Sequence, residues 1–232
     1  MLFRSAVGLL AVLPLLPETL VPRPEGRATP GAWRRILSNR KLRIALLAIF
    51  GLEAAVGSVT GFIKDGLIQR ALESGRDMDG ALRYAAGASG GLFSVFGLVA
   101  IVIMLSRFAQ RVDQRGPFGI SVVGLGSLLA ALALLAVSPT LEVDVVAMLL
   151  YGVGYGLIFP AAAGAVAIAS DPSERGRANG AFNLSFDVGI SAGPILGGTL
   201  ATLIVGLTPF SGGLLLVAFA LLLLPAVGRE AS

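Results

Sequence analysis

Two acidic residues, Glu53 and Asp187, occur inside long apolar stretches of the sequence. A charge near the centre of a bilayer costs about 2.5 to 3.5 kcal/mol on insertion scales, so such residues usually face a cavity, a partner or a proton path. Burial in a low dielectric favours the protonated carboxyl group. Glu53 is therefore the leading candidate for a protonatable coupling site. The alternative is a structural residue that joins two helices.

Asp187 lies four residues after Asn183, and this spacing places both polar side chains on one face of a helix. The pair is consistent with a hydrogen-bonded seam between helices or with a solute site. Tyr155 joins Glu53, Asn183 and Asp187 as a candidate for proton coupling or solute binding. Four aromatic residues could line an apolar cavity with polar groups, although packing is the simpler interpretation of each: Phe50, Tyr151, Tyr155 and Phe159.

A short polar segment between two apolar stretches has the pattern of a helix start. Asp171 would be the N-cap, with Pro172 at the first position and Glu174 at the third. Arg175 and Arg177 would then lie at the membrane boundary, where they could pair with acidic neighbours. Glu174 and these two arginines are candidates for a cytoplasmic gate, and a charge bias that fixes topology is the alternative.

Gly189, Gly193 and Gly197 recur every four residues, which leaves a groove along one helix face where another backbone can approach closely. Helix packing is the first interpretation of this pattern. Sliding or rocking of two helices at the groove is the second.

Several kinds of chemistry are excluded by composition. The chain has no Cys and no His, which rules out disulfides, thiol chemistry, zinc sites of the usual kind and a catalytic triad. Gly152, Gly154 and Gly156 lie inside an apolar stretch without a preceding strand, so they do not predict a nucleotide loop. The sequence therefore predicts neither an enzyme nor a metal or cofactor site.

The elements that position these residues are predicted to be membrane-spanning helices. Of the 232 residues, 55% are hydrophobic and 14% charged, against roughly 25% charged in soluble domains, and the apolar runs approach the roughly 20 residues that cross a bilayer. A bundle over 44–228 is predicted, with six spans near 44–63, 84–105, 118–137, 145–169, 178–205 and 210–227. The last two are joined by a tight reversal at 206–209.

The remaining segments give the orientation. Residues 1–17 are predicted to be the end of an incomplete helix, with a signal, an independent anchor or an interfacial segment as the alternatives. Residues 18–43 are predicted to form a basic cytoplasmic linker and 229–232 a cytoplasmic tail. One side of the predicted membrane collects 13 basic residues. The other side has four, Lys64, Arg70, Arg76 and Arg83, in one predicted loop. The formal charge of +4 is thus a topology signal and does not predict nucleic-acid binding.

Five motifs resemble those of major facilitator drug and sugar efflux proteins. GVGYGLIFP at 152–160, DPSERGRANG at 171–180, and FDVG at 186–189 followed by GPILGG at 193–198 resemble the family's tenth and eleventh helices. LPETL at 16–20 resembles the end of its sixth helix. SRFAQRVDQR at 106–115 resembles the short basic loop between the eighth and ninth helices, but Ser106 and Gln110 replace the family's Gly and Asp. Arg111 and Arg115 fit this pattern, and the resemblance implies a gating role for them.

The resemblance implies an all-α membrane protein consisting of the C-terminal six-helix bundle of the major facilitator fold and the end of a preceding helix. In that family two bundles rock about a solute site near the midplane. We therefore expect a proton-coupled efflux carrier of a small solute in the lipid bilayer of a bacterial inner membrane. Its partner would be the missing N-terminal six-helix bundle or another chain. The alternatives are a non-transporting partner subunit or degenerate half-carrier, and a proton-independent uptake facilitator.

Overall fold

The computed structural model describes residues 32–106, 116–169 and 174–228. No β-strand occurs in these ranges, which confirms the predicted all-α fold. Residues 1–32 and 33–232 form separate units, and the packing described below is that of the second. The helices are α1 (Ala32–Ser38), α2 (Arg40–Glu73), α3 (Met78–Leu105), α4 (Gly116–Val137), α5 (Leu141–Ala169), α6 (Arg175–Leu203) and α7 (Ser211–Val227).

The predicted domain limits fall partly outside these ranges. The predicted incomplete helix at 1–17 and the tail at 229–232 lie outside the described residues. The predicted linker at 18–43 is described from residue 32 onward, where it forms α1 and the first turn of α2.

Five of the described helices, α2 to α6, are long and apolar enough to cross a membrane. The sixth predicted span corresponds to α7, a shorter apolar helix of 17 residues. At 1.5 Å per residue it reaches about 26 Å, slightly less than the roughly 30 Å hydrocarbon core of a bilayer. The reversal before α7 is where the sequence predicts it, and Gly206 has a φ of +90°, which glycine adopts without strain.

Helix α2 is longer at both ends than the predicted span 44–63. It begins at Arg40 because the Asn39 side chain accepts hydrogen bonds from the backbone N–H groups of Lys41 and Leu42, at 3.0 and 3.4 Å. It continues to Glu73, and α3 begins at Met78, so Lys64, Arg70 and Arg83 lie on helices. The prediction that these three residues belong to a loop is wrong. No proline interrupts this stretch, and the first turn comes at Gly75, whose φ is +86°.

The predicted start of α6 is wrong for Glu174, which precedes the helix instead of occupying its third position. Its side chain makes no capping hydrogen bond and is buried, so it cannot satisfy the first N–H groups as the sequence pattern requires. Residues 171–173 lie outside the described residues. The helix that carries Asn183 and Asp187 thus begins at Arg175.

Helix α2 is the central element of the bundle and packs against α3, α4, α5, α6 and α7. Its most apolar stretch is 61% buried, compared with 11% for α3 and 17% for α6. Large buried side chains from α2, α4, α5 and α7 form the core, among them Leu52, Leu128, Met148 and Leu224. Helix α6 instead turns small residues inward, including Ala178, Ala181 and Gly193.

Candidate functional site

Glu53 lies on α2 in the interior of the bundle. Its relative exposure is 1%, and neither carboxylate oxygen has a hydrogen-bond partner among the described residues. An ionised carboxylate buried without a partner is very costly, whereas a protonated carboxyl group is neutral. This position is therefore one where gain or loss of a proton has a large energetic effect.

Two tyrosine side chains lie near Glu53, and two phenylalanine rings contact these tyrosines. Tyr151 and Tyr155 of α5 are near enough to Glu53 for a charge on its carboxyl group to act on their phenol groups. Phe96 of α3 contacts both tyrosine rings edge-on, with centroid distances of 5.1 and 5.3 Å, and Tyr155 stacks on Phe159 at 5.4 Å. We call these five residues the Glu53 site.

The members of the Glu53 site differ in exposure. Tyr151 is buried, whereas Phe96, Tyr155 and Phe159 are half-buried. Sequence reasoning missed Phe96, because nothing in the apolar stretch around it marks one aromatic residue as a neighbour of Glu53.

The third element at this site is α6, which approaches α2 through its glycines. A Cβ added at Gly189 would lie 3.0 Å from the Cβ of Glu53 and 2.5 Å from the carbonyl oxygen of Phe50. One added at Gly193 would overlap the backbone of Ala54. Gly189 thus allows α6 to cross α2 directly over Glu53.

Further along the same helix, Gly197 faces the backbone of Pro209, in the connection between α6 and α7. The three glycines that the sequence singles out therefore all lie where another backbone comes close. Whether the helices slide or rock there stays a prediction.

Asn183 and Asp187 do not join the Glu53 site. Both side chains are exposed on α6, on a row that continues with Asn179 and Ser191. The predicted polar seam with another helix is not formed within the described ranges, because α6 turns its small residues toward α2 and its polar residues outward. A role of these two residues in solute binding stays a prediction.

The predicted gate residues are only partly described. Arg111 and Arg115 lie outside the described residues. At the start of α6, Glu174 is buried, Arg175 is exposed and Arg177 is half-buried. The three residues are therefore close in sequence but differ in access to solvent, and their role as a gate stays a prediction.

A second charged cluster, which sequence reasoning missed, joins the end of α2 to the start of α5. Arg70 forms an ion pair with Asp144, whose side chain is 2% exposed. The other terminal nitrogen of Arg70 donates to the side-chain and backbone oxygens of Ser138, at 3.4 and 3.5 Å. Asp144 comes 74 residues after Arg70, so no local sequence pattern could reveal the pair.

The described residues contain no group of three acidic side chains that could hold a metal ion. The site's polar chemistry therefore rests on one carboxyl group and two phenol groups. That set can move a proton and contact a partly apolar ligand.

Comparison with known proteins identifies the family. The Major Facilitator Superfamily model matches residues 1–194 and, in a second match, residues 84–231. Similar proteins include uncharacterized MFS-type transporters of Burkholderia mallei (strains SAVP1 and NCTC 10229) and Burkholderia pseudomallei (strain K96243). Each is 31% identical over 105 residues, which is 45% of this chain and only 26% of the relative. The chain thus belongs to the major facilitator superfamily.

Proposed function

We propose that this chain is the C-terminal bundle of a secondary transporter that exports a small, amphipathic solute in exchange for protons, with Glu53 as the proton site. The observation that carries the proposal is the burial of Glu53 with both carboxylate oxygens unpartnered. A carboxyl group in this position is neutral while it is sealed and can lose its proton when water reaches it. Alternating exposure to the two sides of the membrane would then move one proton per cycle.

The neighbours of Glu53 support a solute with an apolar body and a polar group. Phe96, Tyr155 and Phe159 offer aromatic surface, and the phenol group of Tyr155 can donate or accept a hydrogen bond. Because Tyr155 lies near Glu53, a solute that contacts the tyrosine would sense the charge of the carboxyl group. This provides the coupling between proton and solute that exchange requires.

The charge distribution supports a bacterial inner-membrane location with the C-terminus in the cytoplasm. Basic residues collect on the side of the bundle where α2 begins, including the exposed Arg34, Arg40 and Lys41. Lys and Arg accumulate on the cytoplasmic side of membrane proteins. Six crossings would return the end of α7 to the same side as the start of α2.

Replacing the carboxyl group of Glu53 by an amide tests the proton assignment. We expect Glu53→Gln to leave the fold intact, because it mimics the neutral carboxyl, and to abolish transport that depends on a pH gradient. The measurement uses inverted membrane vesicles with a pH-sensitive acridine dye, to which ethidium and other amphipathic compounds are added in turn. Asp65→Asn is the matched control, since Asp65 is an exposed carboxylate on the same helix. It should keep the response of the unaltered protein.

Each other outcome has a defined meaning. Gradient-dependent transport by the Glu53→Gln variant would refute Glu53 as the proton site. Flux that ignores the pH gradient in the unaltered protein would identify a proton-independent facilitator. A folded protein that moves none of the compounds even with its N-terminal bundle present would favour a non-transporting partner subunit.

A further inference from the structure

We propose that α1 and the first turn of α2 form a binding surface for anionic phospholipid headgroups. This surface consists of Trp33, Arg34, Leu37, Arg40 and Lys41, all of which are exposed. The inference does not depend on the proposed transport function. It rests on three observations: charge, exposed apolar area and a fixed position of α1.

The charge of this segment is entirely positive. Residues 32–43 contain five basic residues and no acidic one, and Arg34, Arg40 and Lys41 are exposed. A basic cluster next to a membrane-spanning helix attracts anionic lipids of the adjacent leaflet. A topology signal alone requires only that the charges be present, whereas a binding surface requires them on a defined structure.

The apolar side chains of this segment suit the interface between headgroups and acyl chains. Trp33 is 53% exposed and Leu37 is 54% exposed, and their spacing of four residues places them on the same side of α1. Tryptophan is enriched at the membrane interface, where its amphipathic ring lies at the headgroup level. Arg34 and Lys41, both exposed, supply the positive charge beside this apolar pair.

The position of α1 is fixed by contacts with the rest of the bundle. Ile36 is 2% exposed and belongs to the core of the bundle. Arg43 donates to the carbonyl oxygen of Leu37 at 3.4 Å and to that of Val227 at 3.1 Å, which ties α1 to the end of α7. Asn39 caps α2 immediately after the turn. The backbone that carries the exposed residues is therefore fixed before any lipid binds.

The experiment uses Trp33, the only tryptophan in the sequence, as its own probe. The protein is reconstituted in phosphatidylcholine vesicles that contain the same mole fraction of either brominated phosphatidylglycerol or brominated phosphatidylcholine. Bromine quenches tryptophan on contact, and a Trp33→Phe variant supplies the fluorescence background. We expect the anionic brominated lipid to quench Trp33 more strongly than the neutral one.

Two matched double variants test the role of charge. Arg34→Gln with Lys41→Gln should reduce the preference for the anionic lipid roughly fivefold for each charge removed, which corresponds to about 1 kcal/mol per basic residue. The helix start should survive, because Asn39 bonds the backbone of Lys41 and not its side chain. Lys64→Gln with Arg83→Gln removes two exposed charges elsewhere in the bundle and should leave the preference unchanged.

Three results would overturn the proposal. Equal quenching by the two brominated lipids would show that the surface does not select charge. An equal loss of preference in the Lys64 and Arg83 variant would show a general charge effect. Loss of the preference in inorganic phosphate, but not in chloride of equal ionic strength, would assign the surface to free phosphate instead of lipid.

Discussion

At the scale of single residues, the pair formed by Arg70 and Asp144 has two unequal members. The side chain of Asp144 is 2% exposed, whereas that of Arg70 is 27% exposed. Removing one partner of a buried ion pair is costly because the other charge stays buried without compensation. Here only the carboxylate would be trapped, since the guanidinium group can turn toward solvent.

This asymmetry predicts the order of stability of two variants. Arg70→Gln should cost about 3 kcal/mol, because it strands the buried carboxylate. Asp144→Asn should cost about 1 kcal/mol, the typical value of a lost hydrogen bond. Thermal unfolding in detergent should therefore give the lowest midpoint for Arg70→Gln, with the double variant above it.

An exposed arginine provides the control for this series. Arg83→Gln removes a positive charge that is exposed on α3 and should unfold at nearly the temperature of the unaltered protein. If Asp144→Asn proved less stable than Arg70→Gln, the buried carboxylate would not be the main cause of the lost stability.

At the scale of elements, the close approach of α2 and α6 depends on residues without side chains. Gly193 faces the carbonyl oxygen of Ala54, and a Cβ there would also lie 2.8 Å from the Oγ of Ser58. On the same helix, Gly180 has no atom within 4 Å of the position that a Cβ would take. Close helix packing therefore requires glycine at position 193 but not at position 180.

Alanine substitutions at these two positions should have opposite effects. Gly193→Ala should destabilise the bundle by about 1 to 3 kcal/mol, because the backbone of Ala54 cannot move aside without separating the helices. Gly180→Ala should stabilise α6 by up to about 1 kcal/mol, because alanine is the better helix former. Urea or thermal unfolding in detergent measures both. Destabilisation by Gly180→Ala would indicate that a partner outside this chain covers that face.

At the scale of the whole molecule, the helices of the bundle are buried to very different extents. The most apolar stretches of α3 and α6 are only 11% and 17% buried, although α6 carries the exposed Asn183 and Asp187. Polar residues on a membrane-spanning helix usually face protein or water instead of lipid. We therefore propose that a second bundle, with the solute path between, covers α3 and α6.

A second bundle in the same chain predicts a larger native product. An antibody against the C-terminal tail should detect a band about twice the 23.7 kDa of this chain in membranes of the source cell. The matched relatives are also longer than this chain, since the same 105 residues are 45% of this chain and only 26% of the relative. A band near 23.7 kDa would contradict the expected larger product and would direct the search to a partner chain, which crosslinking from cysteines introduced at Asn183 could capture.

The sequence by itself determined that the protein is built from membrane-spanning helices. The length of an apolar stretch compared with the thickness of a bilayer is a local property, so the spans can be predicted without knowledge of their neighbours. It also identified Glu53 and Asp187 as the two acidic residues whose charge would be costly inside a bilayer. The ends of α2 were predicted less accurately. A helix can continue beyond the bilayer until a cap or a turn ends it, as at Asn39 and Gly75.

Only the tertiary structure decided which of these residues come together. Glu53 is buried beside Tyr151 whereas Asp187 is exposed, and this difference follows from the rotation of α2 and α6 about their axes. A helix that is apolar around most of its circumference gives no periodic signal of the face that it buries. Its rotation is set by the fit of small and large side chains between helices, as where Gly189 meets Glu53, and that fit joins residues far apart in sequence.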